Sequence, residues 1–215
     1  MKGSKSRVEL RDVAPGLWIW RMKHPAWKAG QGWEPVVTST CVESRGEVLL
    51  LDPLAPPKEA TEFWGRLEAR KPTAAVVLKP DHVRDVDVFA RRYGARTLGP
   101  RLFFREDIPE SELQFIEAGS ALPGGLAALY DGRGRNETPL WLPDQRTIVF
   151  ADALTAPGGG ELRIWACPFF KERAVPALRV LLELPFERVI VSHGEPVHTR
   201  AEYEKAMERE PWTGR

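Results

Sequence analysis

Short hydrophobic runs separated by turn residues divide the chain into strands and helices. Alternating or β-branched positions predict strands at 17–20 and 36–42, and nearly continuous apolar runs at 47–52 and 74–78 predict strands that are buried on both faces. Residues 21–35 between the first two strands contain glycine, proline and two tryptophans. Their number and composition predict a long hairpin loop, which we call the flap.

Helices are predicted after both buried strands. Pro56 and Pro57 are typical of a helix start, and Pro72 is typical of a position beyond a helix end. Apolar residues at helical spacing then continue to Gly94, which is predicted to end a second helix. The second half of the chain predicts further strands at 125–130, 140–142, 147–150, 162–165 and 188–192, and helices at 171–184 and 200–209.

The order of these elements and the size of the chain indicate the fold class. The chain has 215 residues, of which 43% are hydrophobic and 28% are charged, so it can bury one substantial core. Early strand pairs followed by alternating strands and helices in each half predict an α+β sandwich, with two mixed β-sheets face to face and helices outside. We expect a single domain that spans residues 1–215.

The charge balance and the ends of the chain restrict its partners and its location. Thirty-one basic residues against 30 acidic ones leave a formal charge of +1, so neither a nucleic acid nor an anionic membrane is expected as a partner. The basic N-terminus is not followed by an apolar segment, and no apolar run approaches the length of a membrane span. We expect a cytoplasmic protein whose two cysteines, Cys41 and Cys167, are buried thiols.

Metal-capable side chains follow three predicted strands directly. Asp81 and His82 follow the strand at 74–78, Asp152 follows the strand at 147–150, and His193 ends the run at 189–192. Taken singly, these residues could be a helix cap, a turn residue and a core histidine. Because ligands bind at the carboxyl ends of strands in open α/β sheets, the set predicts one metal site formed by all four side chains. His24 and His198 lie in no such motif and are expected to be exposed.

These segments, in this order, resemble the motifs of metallo-β-lactamase-fold hydrolases. In that family one strand ends in His-x-His-x-Asp-His, a later segment reads Gly-His-Thr-Pro, another ends in Gly-Asp, and a last strand ends in Gly-His-Gly. The corresponding segments here are 77–82, 136–139, 151–152 and 192–194. The resemblance covers nearly the whole chain and implies the αββα sandwich of the metallo-β-lactamase fold.

The resemblance also implies that half of a two-metal site is missing. Val77, Lys79 and Glu137 stand where the family has the three histidines of its first metal. Asp81, His82, Asp152 and His193 match the ligands of the second metal. The chain is therefore expected to hold at most one ion, zinc or else iron or manganese, or none, and metal binding is expected to need both Asp81 and His193.

Lys79 suggests how the altered site works. Its ammonium opposes a second cation and would replace the first metal electrostatically, paired with Glu137 or Asp152. If Asp152 turns toward Lys79, three ligands and an open position remain, as catalytic zinc sites require. In the flap, Trp27 and Trp33 could close over an apolar substrate or anchor the loop to the core.

Two hypotheses about function follow. The first is a hydrolase with one metal that acts on a small-molecule ester, thioester, amide or phosphoester, with Asp81 orienting water and Lys79 stabilising the developing negative charge. The second is a catalytically inactive binding or scaffold protein that kept the fold and lost the reaction. The loss of three histidines favours the second hypothesis, and the four retained ligands favour the first.

Overall fold

The computed structural model describes residues 8–130 and 137–214, and within these ranges two large β-sheets lie face to face. The first sheet has the strand order β1-β2-β3-β4-β5-β6-β7. Its first four strands pair antiparallel and the later pairs are parallel. Within residues 8–130 these strands are β1 (Glu9–Ala14), β2 (Leu17–Lys23), β3 (Val36–Ser44), β4 (Glu47–Leu51), β5 (Ala74–Val76), β6 (Arg96–Gly99) and β7 (Gln114–Phe115).

The second sheet is formed by the later part of the chain. In the described ranges the later strands are β8 (Ala127–Ala128), β9 (Leu140–Leu142), β10 (Thr147–Val149), β11 (Leu154–Thr155), β12 (Arg163–Ile164), β13 (Arg188–Ile190) and β14 (Val197–Thr199). Five of these described strands form a sheet in the order β14-β13-β10-β9-β8, and β11 pairs with β12 in a separate ribbon. Strands β10 and β13 are parallel, so their carboxyl ends lie at the same edge.

Helices cover the outer face of each sheet. The described α-helices are α1 (Thr61–Ala69), α2 (Val86–Tyr93), α3 (Val175–Val180) and α4 (Arg200–Ala206). Phe63 of α1 and Phe89 of α2 pack on the first sheet, whereas Leu178 of α3 and Tyr203 of α4 pack on the second. The predicted α+β sandwich, with its sheets inside and helices outside, is confirmed.

Alternation along the strands explains this layering. Leu17 and Ile19 of β2 face the core between the two sheets, while Trp18 and Trp20 of the same strand face α1. Because successive side chains of a strand point to opposite faces, a strand that is apolar throughout requires a packing partner on both sides. The continuous apolar run of β4 follows the same rule, with Leu49 and Leu51 between the sheets and Leu50 under the helices.

Several predicted boundaries differ from those in the structure. The first helix begins at Thr61 rather than at the prolines, although α2 ends at Gly94 as predicted, with Gly94 in the left-handed conformation. The helix predicted at 171–184 is divided into a π-helical turn, α3 and a short 3₁₀ turn. Strands β1, β6, β7, β11 and β14 were not predicted; most are short, and β1 has no apolar run.

The structure bears on two expectations about composition. Within the described ranges, every helix is too short or too polar to cross a bilayer. The basic segment at 1–7 lies outside these ranges, and the cytoplasmic location stays a prediction. Cys41 is buried as expected, but Cys167 is only partly buried because it lies in the segment that follows the short strand β12 rather than in a core strand.

Candidate metal centre

The predicted site residues lie where parallel strands of both sheets end. Lys79, Asp81 and His82 lie in the turn that follows β5, and the His82 amide donates to the Lys79 carbonyl at 2.9 Å. Asp152 lies just beyond β10, and His193 lies just beyond β13. The two sheets meet at this edge, because the Thr38 amide of β3 donates to the Ser192 carbonyl at 2.9 Å.

Three of the four predicted metal ligands converge. Asp152 Oδ1 lies 3.2 Å from His193 Nε2 and 3.4 Å from His82 Nε2. The three residues are buried, and their ligand atoms all lie within 4.8 Å of one another. Asp152 Oδ1 nevertheless has no hydrogen-bond partner among the described residues. Ligand atoms about 2.0–2.1 Å from a tetrahedral ion lie roughly 3.3–3.4 Å from one another, so these two distances are compatible with a bound metal ion.

Asp52 positions the His82 imidazole and was not predicted as a site residue. Its Oδ2 lies 2.7 Å from His82 Nδ1, and its Oδ1 accepts a hydrogen bond of 2.7 Å from the Leu78 amide. A carboxylate on one imidazole nitrogen directs the other nitrogen toward a metal. Burial by itself lowers the pKa of His82, but the carboxylates of Asp152 and Asp52 outweigh it and raise the pKa to about 9.

His193 is held by a tight turn and by two indole rings. Gly194 has a φ of +82°, and a Cβ there would lie 1.8 Å from the Ala156 carbonyl oxygen, so only glycine fits after His193. The rings of Trp33 and Trp165 both contact the His193 ring edge to face, with centroids 5.4 Å away. Burial lowers the pKa of His193, against the opposing effect of Asp152. The lowered pKa of His193 favours the neutral imidazole, which is the form that binds a metal.

Lys79 forms ion pairs with two carboxylates. Its Nζ lies 3.0 Å from Asp152 Oδ2, and it also contacts both carboxylate oxygens of Asp81. Burial by itself lowers the pKa of Lys79, but Asp152 and Asp81 outweigh it, so the pKa is raised and the side chain is an ammonium. Of the two predicted partners of Lys79, the structure pairs it with Asp152. Asp81 faces Lys79 and lies outside the group of His82, Asp152 and His193.

Glu137 supports the backbone of the site instead of pairing with Lys79. Its Oε2 accepts hydrogen bonds from the backbone amides of Asp152 and Ala153. Burial raises its pKa to about 7, and the charge of Asp152 acts in the same direction. Of the two predicted alternatives, Glu137 is not the partner of Lys79, because its carboxyl binds the backbone of the turn that carries Asp152. The preceding residue of this motif, Asn136, lies outside the described residues.

A cavity of about 330 Å³ opens beside these groups. Trp33 lines it, while Trp27 forms a hydrogen bond within the flap by donating from Nε1 to the Trp33 carbonyl at 2.8 Å. His24, which was expected to be exposed, lines the cavity and contacts the Trp33 ring. The lining residues are His24, Gln31, Trp33, Val37, Lys79, Asp81, His82, Arg84, Asp152, Trp165 and His193.

One further expectation was wrong, and three residues of the site were not predicted. His198 is buried rather than exposed: it lies in β14, and its Nε2 contacts the Glu195 carbonyl at 2.8 Å. Asp52 follows the buried strand β4 directly, so the rule that selected Asp81 and Asp152 would also have selected it. Arg84 and Trp165 carry no comparable signal, since only the tertiary structure brings them to the cavity.

Comparison with solved structures identifies the fold. No protein-family model and no curated protein matches the sequence. The chain is similar to the metallo-β-lactamase FIM-1 from Pseudomonas aeruginosa in its mono-zinc form, with a TM-score of 0.68, 17% identity, and 95% of this chain and 97% of that chain covered. The metallo-β-lactamase from Pontibacter korlensis gives a TM-score of 0.68 at 17% identity, with 95% and 100% covered. A third from Erythrobacter litoralis gives 0.68 at 18%, with 94% and 95% covered.

These similarities confirm the fold that the sequence motifs implied. All three matches cover nearly the full length of both chains, so the likeness includes both sheets and the edge where they meet. At these identities, the comparison establishes the metallo-β-lactamase fold. The three converging side chains can hold a metal ion, and the chemistry of the site depends on the residues of this chain.

Proposed function

We propose that the protein is a hydrolase that holds one zinc ion through His82, Asp152 and His193. The observation that carries this proposal is the position of Asp152 Oδ1, which is buried between two imidazole nitrogens and has no hydrogen-bond partner among the described residues. A buried carboxylate oxygen that accepts no hydrogen bond is costly, and a cation between these three atoms would reduce that cost.

The number of ligands favours a catalytic site over a structural one. Structural zinc sites have four protein ligands, whereas catalytic sites have three and an open position. Asp81, the fourth predicted ligand, is held by Lys79, which leaves three ligands. When bound, the metal would supply Lewis acidity, which polarises a carbonyl or phosphoryl oxygen and lowers the pKa of water.

Lys79 and Asp81 are the proposed catalytic residues. The contact of Lys79 with Asp152 Oδ2 holds that carboxylate so that Oδ1 faces the imidazoles. The same ammonium lies in the cavity wall, where it can stabilise negative charge that develops on a substrate oxygen. The Asp81 side chain is 37% exposed, so its carboxylate can accept a proton from water in the cavity.

The cavity restricts the size of the substrate. A volume of about 330 Å³ is at the low end for ligand pockets and suits a small metabolite rather than a polymer. Trp33 and Trp165 cover His193 and would exclude water from one side. We therefore propose a small-molecule ester, thioester, amide or phosphoester as the substrate.

A metal-free binding protein is the second candidate. The ion pairs of Lys79 with Asp81 and Asp152 favour it, because they neutralise one of the two carboxylate charges without a metal. In that case His82 would be a protonated imidazole between Asp52 and Asp152, which its raised pKa allows. The zinc hydrolase would have a metal cation between His82, Asp152 and His193, and the metal-free binding protein would have a protonated His82 instead. Analysis of metal content distinguishes the two.

The test is metal content together with hydrolysis. We expect close to one zinc ion per chain in protein purified without added metal, and hydrolysis of a chromogenic ester, thioester or phosphodiester that chelation abolishes and zinc restores. Asp152→Asn should lose both properties, whereas Asp144→Asn, at an exposed carboxylate paired with Arg45, should keep both. Folded protein that takes up no metal during dialysis against zinc would support the metal-free binding protein.

A further inference from the structure

Arg84 occupies a backbone position that normally favours glycine. It lies two residues beyond His82 in the turn that leads into α2, and its φ is +47°. A side chain longer than that of asparagine or glycine is uncommon at such an angle and costs of order 1 kcal/mol or more. Arginine therefore has a cost in backbone energy at this position, and the contacts of its guanidinium group offset that cost.

The structure fixes this guanidinium through one of its three nitrogens. Nη1 donates to the Thr38 carbonyl at 2.8 Å, to the Asp52 carbonyl at 2.7 Å and to Ser39 Oγ at 3.2 Å. Within the ranges that the structure describes, Nε and Nη2 have no protein acceptor. Arginine carries five donors in a planar fork, so the unused edge is already oriented.

The carboxylates nearest to Arg84, with Asp52 and Asp152 foremost, act on its charge only from beyond the distance of a direct ion pair. Among the described residues, no carboxylate oxygen comes within the 4.0 Å of an ion pair, whereas Lys79 in the same cavity has two such partners. Arg84 lines the cavity together with His82 and His193.

We propose that Arg84 binds an anionic oxygen group of the ligand, a carboxylate or a phosphate. The proposal rests on the proposed function in that it names the substrate class of the same cavity. A carboxylate or phosphate accepts two parallel hydrogen bonds from the edge of a guanidinium, which is the edge left without a protein acceptor here. Trp33 and Trp165 provide an apolar wall in the same cavity, so the ligand combines this anion with an apolar part.

Matched small probes test the proposal directly. Benzoate and phenyl phosphate carry the anion on a ring, and benzyl alcohol carries the same ring without charge. Their affinities are measured by isothermal titration calorimetry on the full chain, once as purified and once after chelation, so that binding to a metal is distinguished from binding to Arg84. The two anionic probes also tell carboxylate from phosphate as the preferred group.

Three variants isolate the guanidinium. Arg84→Gly removes the charge and suits the positive φ, and Arg84→Lys keeps the charge without the fork. Arg146→Gly is the matched control, because Arg146 has a φ of +48°, is exposed and lies at the opposite end of β10. Thermal unfolding and zinc content are measured for each variant alongside binding.

The expected result is a loss confined to the anionic probes. Arg84→Gly should weaken benzoate or phenyl phosphate about tenfold to a hundredfold, as expected for a charged hydrogen-bond pair, and Arg84→Lys should lose about tenfold. Benzyl alcohol should bind equally to all variants, and Arg146→Gly should behave as the parent. Zinc content should stay at the parental value in every variant.

Other outcomes overturn the proposal or the proposed function separately. If the parent binds neither benzoate nor phenyl phosphate more tightly than benzyl alcohol, the role of Arg84 is overturned, whatever the variants do. A folded Arg84→Gly variant that binds the anionic probes as tightly as the parent would also overturn the role of Arg84. The proposed zinc site would be unaffected by that result. A chain that takes up no zinc but loses anion affinity in Arg84→Gly would keep the Arg84 proposal and remove the zinc hydrolase.

Discussion

The two oxygens of Asp152 face two different sides of the cavity. On the imidazole side, Oδ1 faces His82 and His193 at 3.4 and 3.2 Å without forming a hydrogen bond. On the lysine side, Oδ2 pairs with Lys79, which also binds Asp81. The lysine side therefore already contains a cation, the ammonium of Lys79. The imidazole side contains three ligand atoms that could bind a metal cation.

This difference is the basis for proposing one metal ion at a carboxylate with two sides. In the proposed function, the ammonium of Lys79 would take the place of a second divalent cation and would oppose its binding. The imidazole side is supported by Asp52 behind His82 and by Gly194 behind His193. The predictions below test whether the two sides are independent, beginning with the largest expected effect.

Removing the ammonium should produce the largest effect. Lys79→Met leaves the buried Asp152 Oδ2 without its partner, which should lower the free energy of unfolding of metal-free protein by about 3–5 kcal/mol. If the protein is a hydrolase, turnover should also fall by about a hundredfold to a thousandfold. Urea unfolding and a hydrolysis assay measure the two effects.

Lys71→Met is the control for this change, because Lys71 is exposed and should tolerate the substitution. A stable Lys79→Met variant with unimpaired turnover would contradict both roles of Lys79. A variant that unfolds early, from a parent without hydrolytic activity, would favour the metal-free binding protein.

Removing a ligand from the imidazole side should have the next largest effect. Zinc sites are worth about 10–16 kcal/mol over about four ligands, so His193→Ala should weaken zinc binding by about 3–4 kcal/mol, or a few hundredfold. Asp81→Asn should bind zinc as the parent does, because Asp81 faces Lys79 instead of the imidazoles. Competition with a fluorescent zinc chelator gives both affinities. An equal loss of zinc affinity in His193→Ala and Asp81→Asn would mean that Asp81 is a metal ligand, as the sequence predicts.

Changing the residue behind His82 should have a smaller effect. Asp52→Asn keeps an oxygen for the Leu78 amide but presents an amide group to His82 Nδ1, so it favours the wrong tautomer for metal binding. Zinc affinity should fall about tenfold to a hundredfold. Asp144→Asn serves again as the control, and an unchanged affinity in Asp52→Asn would mean that Asp52 only stabilises the fold.

The smallest effect concerns the flap and is absent at neutral pH. Burial, with a smaller contribution from the charge of Arg84, lowers the pKa of His24 from 6.5 to about 4. Because the unfolded chain takes up this proton at a higher pH, the folded state loses stability as the pH falls from 6.5 toward 4. His24→Gln should therefore unfold with a weaker pH dependence than the parent in this window. Thermal melting of both proteins at pH 7 and pH 4.5 measures this difference. An equal drop in melting temperature for parent and variant would mean that His24 does not contribute to the pH dependence.

The positions of the strand ends could be predicted from the sequence alone. Buried apolar runs before Asp152 and His193 correspond to β10 and β13, because a run that is apolar on both faces has a stable place only between two layers. The stop at Gly94 was predicted for a similar local reason, since glycine adopts the left-handed conformation without strain. Local patterns of this kind act over a few residues and therefore appear in the sequence.

The directions of the side chains were decided only by the tertiary structure. Asp52, Asp81 and Asp152 all follow β-strands, yet one orients an imidazole, one binds Lys79, and one faces both sides of the cavity. Their roles depend on which charged groups the opposite sheet and the next turn bring within about 3 Å. Arg84 and Trp165 reach the cavity in the same way, through contacts between segments that are distant in sequence, so no local pattern could predict them.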